Sequence, residues 1–218
     1  YVQVGRFASG LDAADAGSEF QRADCAPKNT LGDGRLIIAD WVMAGRYASG
    51  LEATVAAGGA SSPVPAASVA FEKEFSGVAA FSLEEQQQTR SIRIVPASFS
   101  RGQENTLAVE LNALGNENAL GFSLQFNPAQ WRFVSARAGQ DAAGAALHVN
   151  TAELAAGRIG LAVAMPAGES FAAGTRQVAL LRFEPVALVA AGRRAAGIIT
   201  FADQPLAREL ADVNAHSL

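Results

Sequence analysis

The chain has 218 residues, of which half are apolar and 17% are charged, so it can bury the core of one large or two small domains. The formal net charge is −4 and no basic stripe is visible, which argues against nucleic acid binding. No apolar run reaches the ~18 residues that a membrane-spanning helix needs.

Two stretches near the start of the chain repeat one another. Residues 1–12 and 41–52 are identical at seven of twelve positions, which indicates an internal duplication. Each copy is predicted to be a helix followed by a glycine, Gly10 or Gly50. That glycine can take the left-handed position of a Schellman motif, with the next leucine folded back on the last turn.

A second glycine lies inside each predicted helix, Gly5 in the first copy and Gly45 in the second. Glycine in a helix interior is about 1 kcal/mol less favourable than alanine. Its presence at the same position in both copies therefore predicts that the two helices approach each other closely. Residues at helical spacing predict the buried face of the second helix: Ile38, Trp41, Val42, Gly45 and Ala48.

An acidic segment precedes the second copy and follows part of the pattern of a calcium-binding loop. In an EF-hand loop, oxygen ligands fall at positions 1, 3, 5, 7, 9 and 12, with glycine at position 6. Placing Asp40 at position 12 puts Asp33 at position 5, Gly34 at position 6 and the Arg35 carbonyl at position 7. Positions 3 and 9 then carry no side-chain oxygen.

The first ligand position has two candidates, Asn29 in a loop of regular length or Asp24 in a loop that is five residues longer. The predicted calcium ligands are therefore Asp24, Asn29, Asp33, the Arg35 carbonyl and Asp40. The alternative interpretation is an ordinary Asp-Gly turn followed by a helix N-terminus that an aspartate caps.

The two loop–helix units lie about forty residues apart, and an Asp rather than a Glu closes the loop. In these features they resemble the dockerin family. The second unit, residues 32–47, is similar over its whole length, whereas only the exit helix of the first unit is present. The resemblance implies that residues 1–52 form a small EF-hand-like helical module, which is extracellular, binds calcium and docks onto cohesin domains.

The composition changes after this module. Residues 53–89 are rich in Ala, Gly, Ser and Pro and then in Gln, which predicts a linker. In residues 90–218 apolar residues alternate with a period of two over roughly eight or nine short segments separated by turn residues. This pattern predicts a mainly β protein whose second domain is an antiparallel β-sandwich of jelly-roll type.

Residues 118–136 carry alternating Phe and Leu, an Asn-Pro turn and a second strand with Trp131 and Phe133. This run resembles the cohesin family, and the resemblance extends over residues 91–218. It implies a sandwich that binds a protein partner. Carbohydrate-binding modules share the pattern, so a polysaccharide-binding or cell-wall attachment module is the alternative.

Polysaccharide binding would require exposed aromatic rings. The candidates are Trp131, Phe99 and Phe171. The period-two alternation instead places a second group of rings in the sandwich core: Phe122, Phe126 and Phe133.

The sequence contains no pattern of a catalytic, phosphate-binding or Cys/His metal site, so we expect no enzymatic activity. The two histidines, His148 and His216, are far apart, and His148 is expected on the solvent side of a strand. Glu84 and Glu85 are adjacent and cannot form the spaced carboxylate pair of a glycosidase. The single cysteine, Cys25, is either a small buried residue or a link to another chain.

These features predict a secreted or cell-surface protein that binds protein. The helical module would bind a sandwich of another protein or of the next copy of the same chain, and head-to-tail contacts of this kind can build a filament. A third hypothesis is a purely structural spacer in which the module docks on the sandwich of its own chain. Because the chain begins at Tyr1 without Met, we also expect that it is processed or cut from a longer precursor.

Overall fold

A computed structural model describes residues 1–64, 89–95, 105–186 and 199–218. The helices in these ranges are α1 (Val2–Ala8), α2 (Ser18–Ala23) and α3 (Ile38–Ser49). The strands are β1 (Ser91–Ile94), β2 (Asn105–Ala113), β3 (Glu117–Gln125), β4 (Trp131–Ala138), β5 (Ala146–Asn150), β6 (Arg158–Ala164), β7 (Gly174–Pro185), β8 (Thr200–Ala202) and β9 (Glu209–Asp212). Within the same ranges, no helix has the length and apolar character needed to cross a membrane.

The strands form two antiparallel sheets that face each other. The first sheet has the strand order β1-β2-β7-β4, and the second has the order β5-β6-β3-β8, with β9 also paired to β3. Their facing sides enclose one apolar core, which includes Val109, Leu111, Phe122, Leu161 and Phe183. The prediction of a mainly β fold with an antiparallel sandwich is confirmed.

The aromatic residues of the sandwich lie mostly inside this core. The ring of Phe183 packs edge-to-face against Phe126 at 5.3 Å and against Phe133 at 5.7 Å between centroids. Trp131 and Phe171 are also buried, with 2% and 1% exposure, so neither candidate offers the exposed ring that polysaccharide binding would require. Trp131 begins β4 but pairs with Pro185 on β7, and this pairing places its ring in the core. Phe99 lies outside the described residues.

The two copies of the repeat end in the same way. The Leu11 N–H donates to the Arg6 carbonyl at 2.9 Å, and the equivalent bond from Leu51 to Arg46 measures 3.0 Å. The glycine that follows each helix is left-handed, with φ of 67° in the first copy and 74° in the second. The predicted Schellman motifs are therefore confirmed.

The other identical residues of the repeat also make equivalent contacts. The Ser9 hydroxyl donates to the Gly5 carbonyl at 2.8 Å, and Ser49 donates to Gly45 at 2.9 Å. The arginine of each copy pairs with the acid that ends the copy, at 2.6 Å in the first and 3.4 Å in the second. The duplication therefore includes side-chain interactions as well as helix position.

The first part of the predicted linker lies against the helices. The Gly17 N–H donates to the Ser61 carbonyl at 2.6 Å, and the Val64 N–H donates to the Gly34 carbonyl at 2.9 Å. Residues 65–88, which make up most of the predicted linker, lie outside the described residues. The division into residues 1–52, 53–89 and 90–218 stays a prediction.

Candidate functional site: a helix–sheet interface

The outward side of the second sheet is formed by small residues. Side chains alternate along a strand, so residues between the core positions of β3 and β6 face away from the core. On these two central strands Ala119 pairs with Ala164 and Gly121 pairs with Ala162. We call these four residues the platform. Because none of them extends beyond a methyl group, another element can approach the backbone of the sheet closely.

Polar residues border the platform on both sides. On β5, His148 pairs with Ala162 and Asn150 pairs with Gly160. On the opposite side, Glu209 of β9 pairs with Gly121. The second sheet therefore presents an apolar centre between polar edges, which is the usual composition of a protein–protein interface.

Helices α1 and α3, which we call the helix pair, cover the platform. Ile38, Trp41 and Val42 of α3 are almost fully buried and belong to one apolar cluster with three platform alanines. A Cβ placed on Gly121 would lie 3.1 Å from Ile38 Cγ1, so the approach is close. Docking of the helix pair on the sandwich of the same chain therefore explains why the outward residues of β3 and β6 are fully buried.

The contact between the two helices lies directly above β5. The Trp41 ring packs against the His148 ring at 4.8 Å between centroids. A Cβ placed on Gly5 would lie 2.6 Å from the Trp41 ring and 2.8 Å from His148 Nε2. A Cβ on Gly45 would lie 2.9 Å from the Tyr1 ring, so each repeat glycine faces the first aromatic residue of the other copy. The predicted close approach of the helices is confirmed.

His148 requires a correction. Its side chain points away from the sandwich core, as expected, but the helix pair covers it, so it is not a free surface residue. Burial, together with the positive charge of Arg6, lowers the pKa of His148 below its ordinary value. The sequence did not show this burial because the covering residues lie more than a hundred positions away.

Hydrogen bonds also connect the helix pair to the sandwich. The Asn150 Nδ2 group donates to the carbonyl oxygens of Ser9 and Gly10, both at 3.0 Å. At another edge, Arg46 Nη1 donates to the Val213 carbonyl at 2.7 Å. These bonds satisfy carbonyl groups at the margins of an otherwise apolar interface.

Glu209 contacts the start of α3. Its Oε2 accepts the Ile38 N–H at 3.3 Å, and its Oε1 lies 3.8 Å from Arg35 Nη2. Burial raises the pKa of Glu209, and the Ile38 N–H and the Arg35 charge oppose that rise. The carboxylate therefore joins β9 to the helix N-terminus.

Two of the predicted calcium ligands, Asp24 and Asp33, hold the turn before α3. Asp24 is buried, and its carboxylate accepts the N–H groups of Asp33 at 3.0 Å and Gly34 at 2.7 Å. Asp33 is exposed, and its Oδ1 accepts the Arg35 N–H at 3.0 Å. Burial raises the pKa of Asp24, while the two backbone hydrogen bonds oppose that rise.

Asp40 occupies the third position of α3 and is fully buried. Its carboxylate accepts three backbone N–H groups, from Cys25 at 2.7 Å, Ala26 at 2.8 Å and Ile37 at 2.9 Å. Burial raises the pKa of Asp40 to about 8, and the three hydrogen bonds oppose that rise. Asp40 thereby connects residues 25 and 26 to the start of α3, where the third residue of the helix accepts the N–H of the N-cap residue Ile37.

The donor set does not fit the expected calcium loop in this conformation. Asp24 and Asp40 together accept five backbone N–H groups, which are structural roles at a turn and a helix end. Asn29 lies exposed in a 3₁₀-helix, Lys28–Thr30. In the part of the chain that is described, no three His, Cys, Asp or Glu side chains form a group that could hold a metal. Calcium binding by this segment stays a prediction.

Cys25 lies half-buried beside this turn, with its Sγ 3.5 Å from the Asp40 carbonyl oxygen. Burial, with the charges of Asp40 and Asp24, raises the pKa of the thiol to about 12. A thiol that stays protonated at neutral pH reacts slowly. Of the two interpretations of Cys25, the structure favours the buried small residue.

The fold and the site together define a two-sheet sandwich with a duplicated helix pair bound to one sheet. No protein-family model matches the chain, and no curated protein sequence matches it significantly. Among solved structures, the chain is similar to a type II cohesin domain from the cellulosome of Acetivibrio cellulolyticus. The identity is 18% and the TM-score 0.47, and the match covers 60% of this chain and 88% of that one.

Two further similar structures are described as cohesins or cohesin complexes. A chain of a type I cohesin–dockerin complex from Clostridium thermocellum has 15% identity and a TM-score of 0.49, covering 60% of this chain and 91% of that one. A non-cellulosomal cohesin from Archaeoglobus fulgidus has 12% identity and a TM-score of 0.44, covering 58% and 82%. At these identities the likeness concerns the fold alone. The dockerin-like interpretation of residues 1–52 stays a prediction.

Proposed function

We propose that this protein is a non-enzymatic assembly module in which the platform binds the helix pair, both within one chain and between copies of the chain. The observation that carries the proposal is the docking of the helix pair on the platform. The residues in contact are complementary in size at the centre and in hydrogen bonding at the edges.

The chemistry of the platform supports a protein ligand. Without the helix pair, the second sheet would expose contiguous alanine and glycine backbone, and a contiguous apolar patch of this kind is typical of a protein interaction site. The polysaccharide alternative has less support, because Trp131 and Phe171 lie in the sandwich core.

Docking within one chain and docking between chains compete. A binding partner that belongs to the same chain as its site has a high effective concentration, which can reach the millimolar range. The helix pair of the same chain is therefore the favoured ligand at low protein concentration. Exchange between chains joins the helix pair of one copy to the platform of the next, and such a heterologous contact extends into a filament unless it closes.

Three finer parts of the proposal rest on the sequence resemblance. These are the dockerin-like character of residues 1–52, a calcium requirement and an extracellular or cell-surface setting. A protein ligand other than a second copy of this chain fits the same proposal, because the small residues of the platform would accept any helix pair with a comparable apolar surface.

The test uses two variants, in each of which the helix pair cannot dock on the platform of the same chain. Ala162→Arg places a charge on the platform, and Val42→Arg places one on the helix surface that contacts it. In a mixture, the intact helix pair of the first variant can bind the intact platform of the second. We expect each variant alone to sediment as a 22.5 kDa monomer and the equimolar mixture to sediment at about twice that mass.

A matched control is Ala108→Arg, on the outer side of the first sheet. This variant keeps its own docked helix pair, so its mixture with Val42→Arg is expected to stay monomeric. A mixture of the two docking variants that stays monomeric at high concentration would contradict exchange between copies.

A further inference from the structure

We propose that Asn150 and Glu209 determine the register at which the helix pair docks, because each binds a helix end from a different side of the platform. This inference rests on the proposed docking function and names its positioning residues. The platform itself is smooth, since its four residues carry at most a methyl group. Apolar contact with such a surface holds the helices but fixes their position along the sheet only weakly.

Asn150 recognises the end of α1. Its Nδ2 donates to the Ser9 and Gly10 carbonyls, which follow the last turn of the helix and have no further helical donor. Its Oδ1 accepts the Ala152 N–H at 3.0 Å, which orients the amide with its NH₂ group toward the helix. The side chain is buried, with 3% exposure, so its donors have no access to bulk water as an alternative partner.

Glu209 recognises the start of α3. It accepts the N–H of Ile38, the first residue of this 12-residue helix, which has no acceptor within the helix. A carboxylate at a helix N-terminus also interacts favourably with the helix dipole. Arg35, just before the helix, adds an opposite charge at 3.8 Å.

The two contacts lie on different strands at opposite edges of the platform, β5 and β9. A shift of the helix pair by one helical turn in either direction would separate Asn150 from the carbonyl groups at the end of α1. The same shift would separate Glu209 from the Ile38 N–H. A buried amide donor and a half-buried carboxylate would then lose their partners, which is unfavourable. Together the two residues therefore select one register.

The experiment measures hydrogen–deuterium exchange at single amides of the full chain. Asn150→Asp keeps the acceptor for Ala152 but places an oxygen against the two helix carbonyls. Glu209→Gln removes the charge at the start of α3. The matched controls are Asn112→Asp and Glu110→Gln on the outer side of the first sheet, where Asn112 donates to the Thr89 carbonyl and Glu110 pairs with Arg93.

We expect Asn150→Asp to accelerate exchange in α1 and α3 by about 10- to 100-fold, since a buried group loses its partner. For Glu209→Gln we expect about a two- to fivefold acceleration, centred on the Ile38 amide. Exchange in β2 and β7 should not change. At acid pH the introduced aspartate regains a proton that it can donate to a carbonyl, so its defect relative to wild type should shrink.

Helix exchange that matches the Asn112→Asp and Glu110→Gln controls would overturn the inference. Equal acceleration in β2 and β7 would also overturn it, because both residues would then act on the sandwich and not on docking. The experiment concerns one chain. It can therefore succeed while the mixture of docking variants fails to associate, and the two failures can be told apart.

Discussion

Gly5 is the position where a single methyl group should disturb the whole interface. It lies at the meeting point of α1, the Trp41 ring of α3 and the His148 ring of β5. In an isolated helix, Gly5→Ala would be stabilising by about 1 kcal/mol. In this fold, the new Cβ would lie 2.6 Å from two Trp41 ring atoms, well inside the contact distance of about 3.5–4.0 Å.

The size of the effect follows from how little the neighbours can move. Trp41 is 1% exposed and packs on His148, so its ring cannot shift without moving the helix pair from the platform. Overpacking of this kind costs about 1–3 kcal/mol, and we expect the upper end. Subtracting the gain in helix propensity leaves a net loss of about 2 kcal/mol. For a chain of this length, that loss lowers the melting temperature by about 4–8 °C.

The duplication supplies a matched control for this experiment. At Gly45, the equivalent position, the new Cβ would meet the Tyr1 ring at 2.9 Å, but Tyr1 is 43% exposed and can move. Gly45→Ala should therefore leave the melting temperature unchanged or raise it. Scanning calorimetry of both variants decides the matter. Equal behaviour of Gly5→Ala and Gly45→Ala would refute the packing described at the interface.

Three further predictions concern His148, Asp40 and the predicted calcium loop. Because the pKa of His148 is lowered in the folded chain, the chain has its full stability above the unfolded pKa and loses part of it as pH falls from there through the folded pKa. His148→Gln should therefore weaken the fall in melting temperature between about pH 7 and pH 5. Asp40→Asn should destabilise by about 2 kcal/mol, since the amide NH₂ would face either the Ile37 N–H or those of Cys25 and Ala26. Asp33→Asn should change stability by less than about 0.5 kcal/mol. Melting wild type with calcium and with a chelator tests the predicted metal loop: equal temperatures contradict it, and a calcium-dependent rise that Asp33→Asn abolishes supports it.

The sandwich and the two repeat helices could be predicted because local patterns encode them. Period-two alternation gave the core positions of the strands, and the repeated glycines at positions 5 and 45 predicted close helix packing. Both signals depend only on residues near each other in the chain or on comparison of its two copies.

The interface could not be predicted in the same way. Its polar contacts join residues far apart in the chain, such as Ser9 to Asn150 and Ile38 to Glu209, and no periodicity records such pairs. One signal was present. The outward positions of β3 and β6 carry only Ala, Gly and Ser near the platform, whereas a strand with one solvated face carries polar residues there.

The role of the acidic segment could not be settled from its sequence for a different reason. A carboxylate in a turn can bind a cation or can accept backbone N–H groups, and both uses need the same residue at the same place. The three N–H groups that donate to the Asp40 carboxyl group belong to residues 25, 26 and 37. They come together only when the chain is folded.

Docking of the helix pair on the second sheet is tested most directly by proton NMR of the wild-type chain. We predict a nuclear Overhauser effect between the ring protons of Trp41 and those of His148, whose centroids are 4.8 Å apart. The Phe126–Phe183 pair, at 5.3 Å in the sandwich core, serves as the internal reference. A spectrum that shows the reference contact but no contact between Trp41 and His148 would contradict docking.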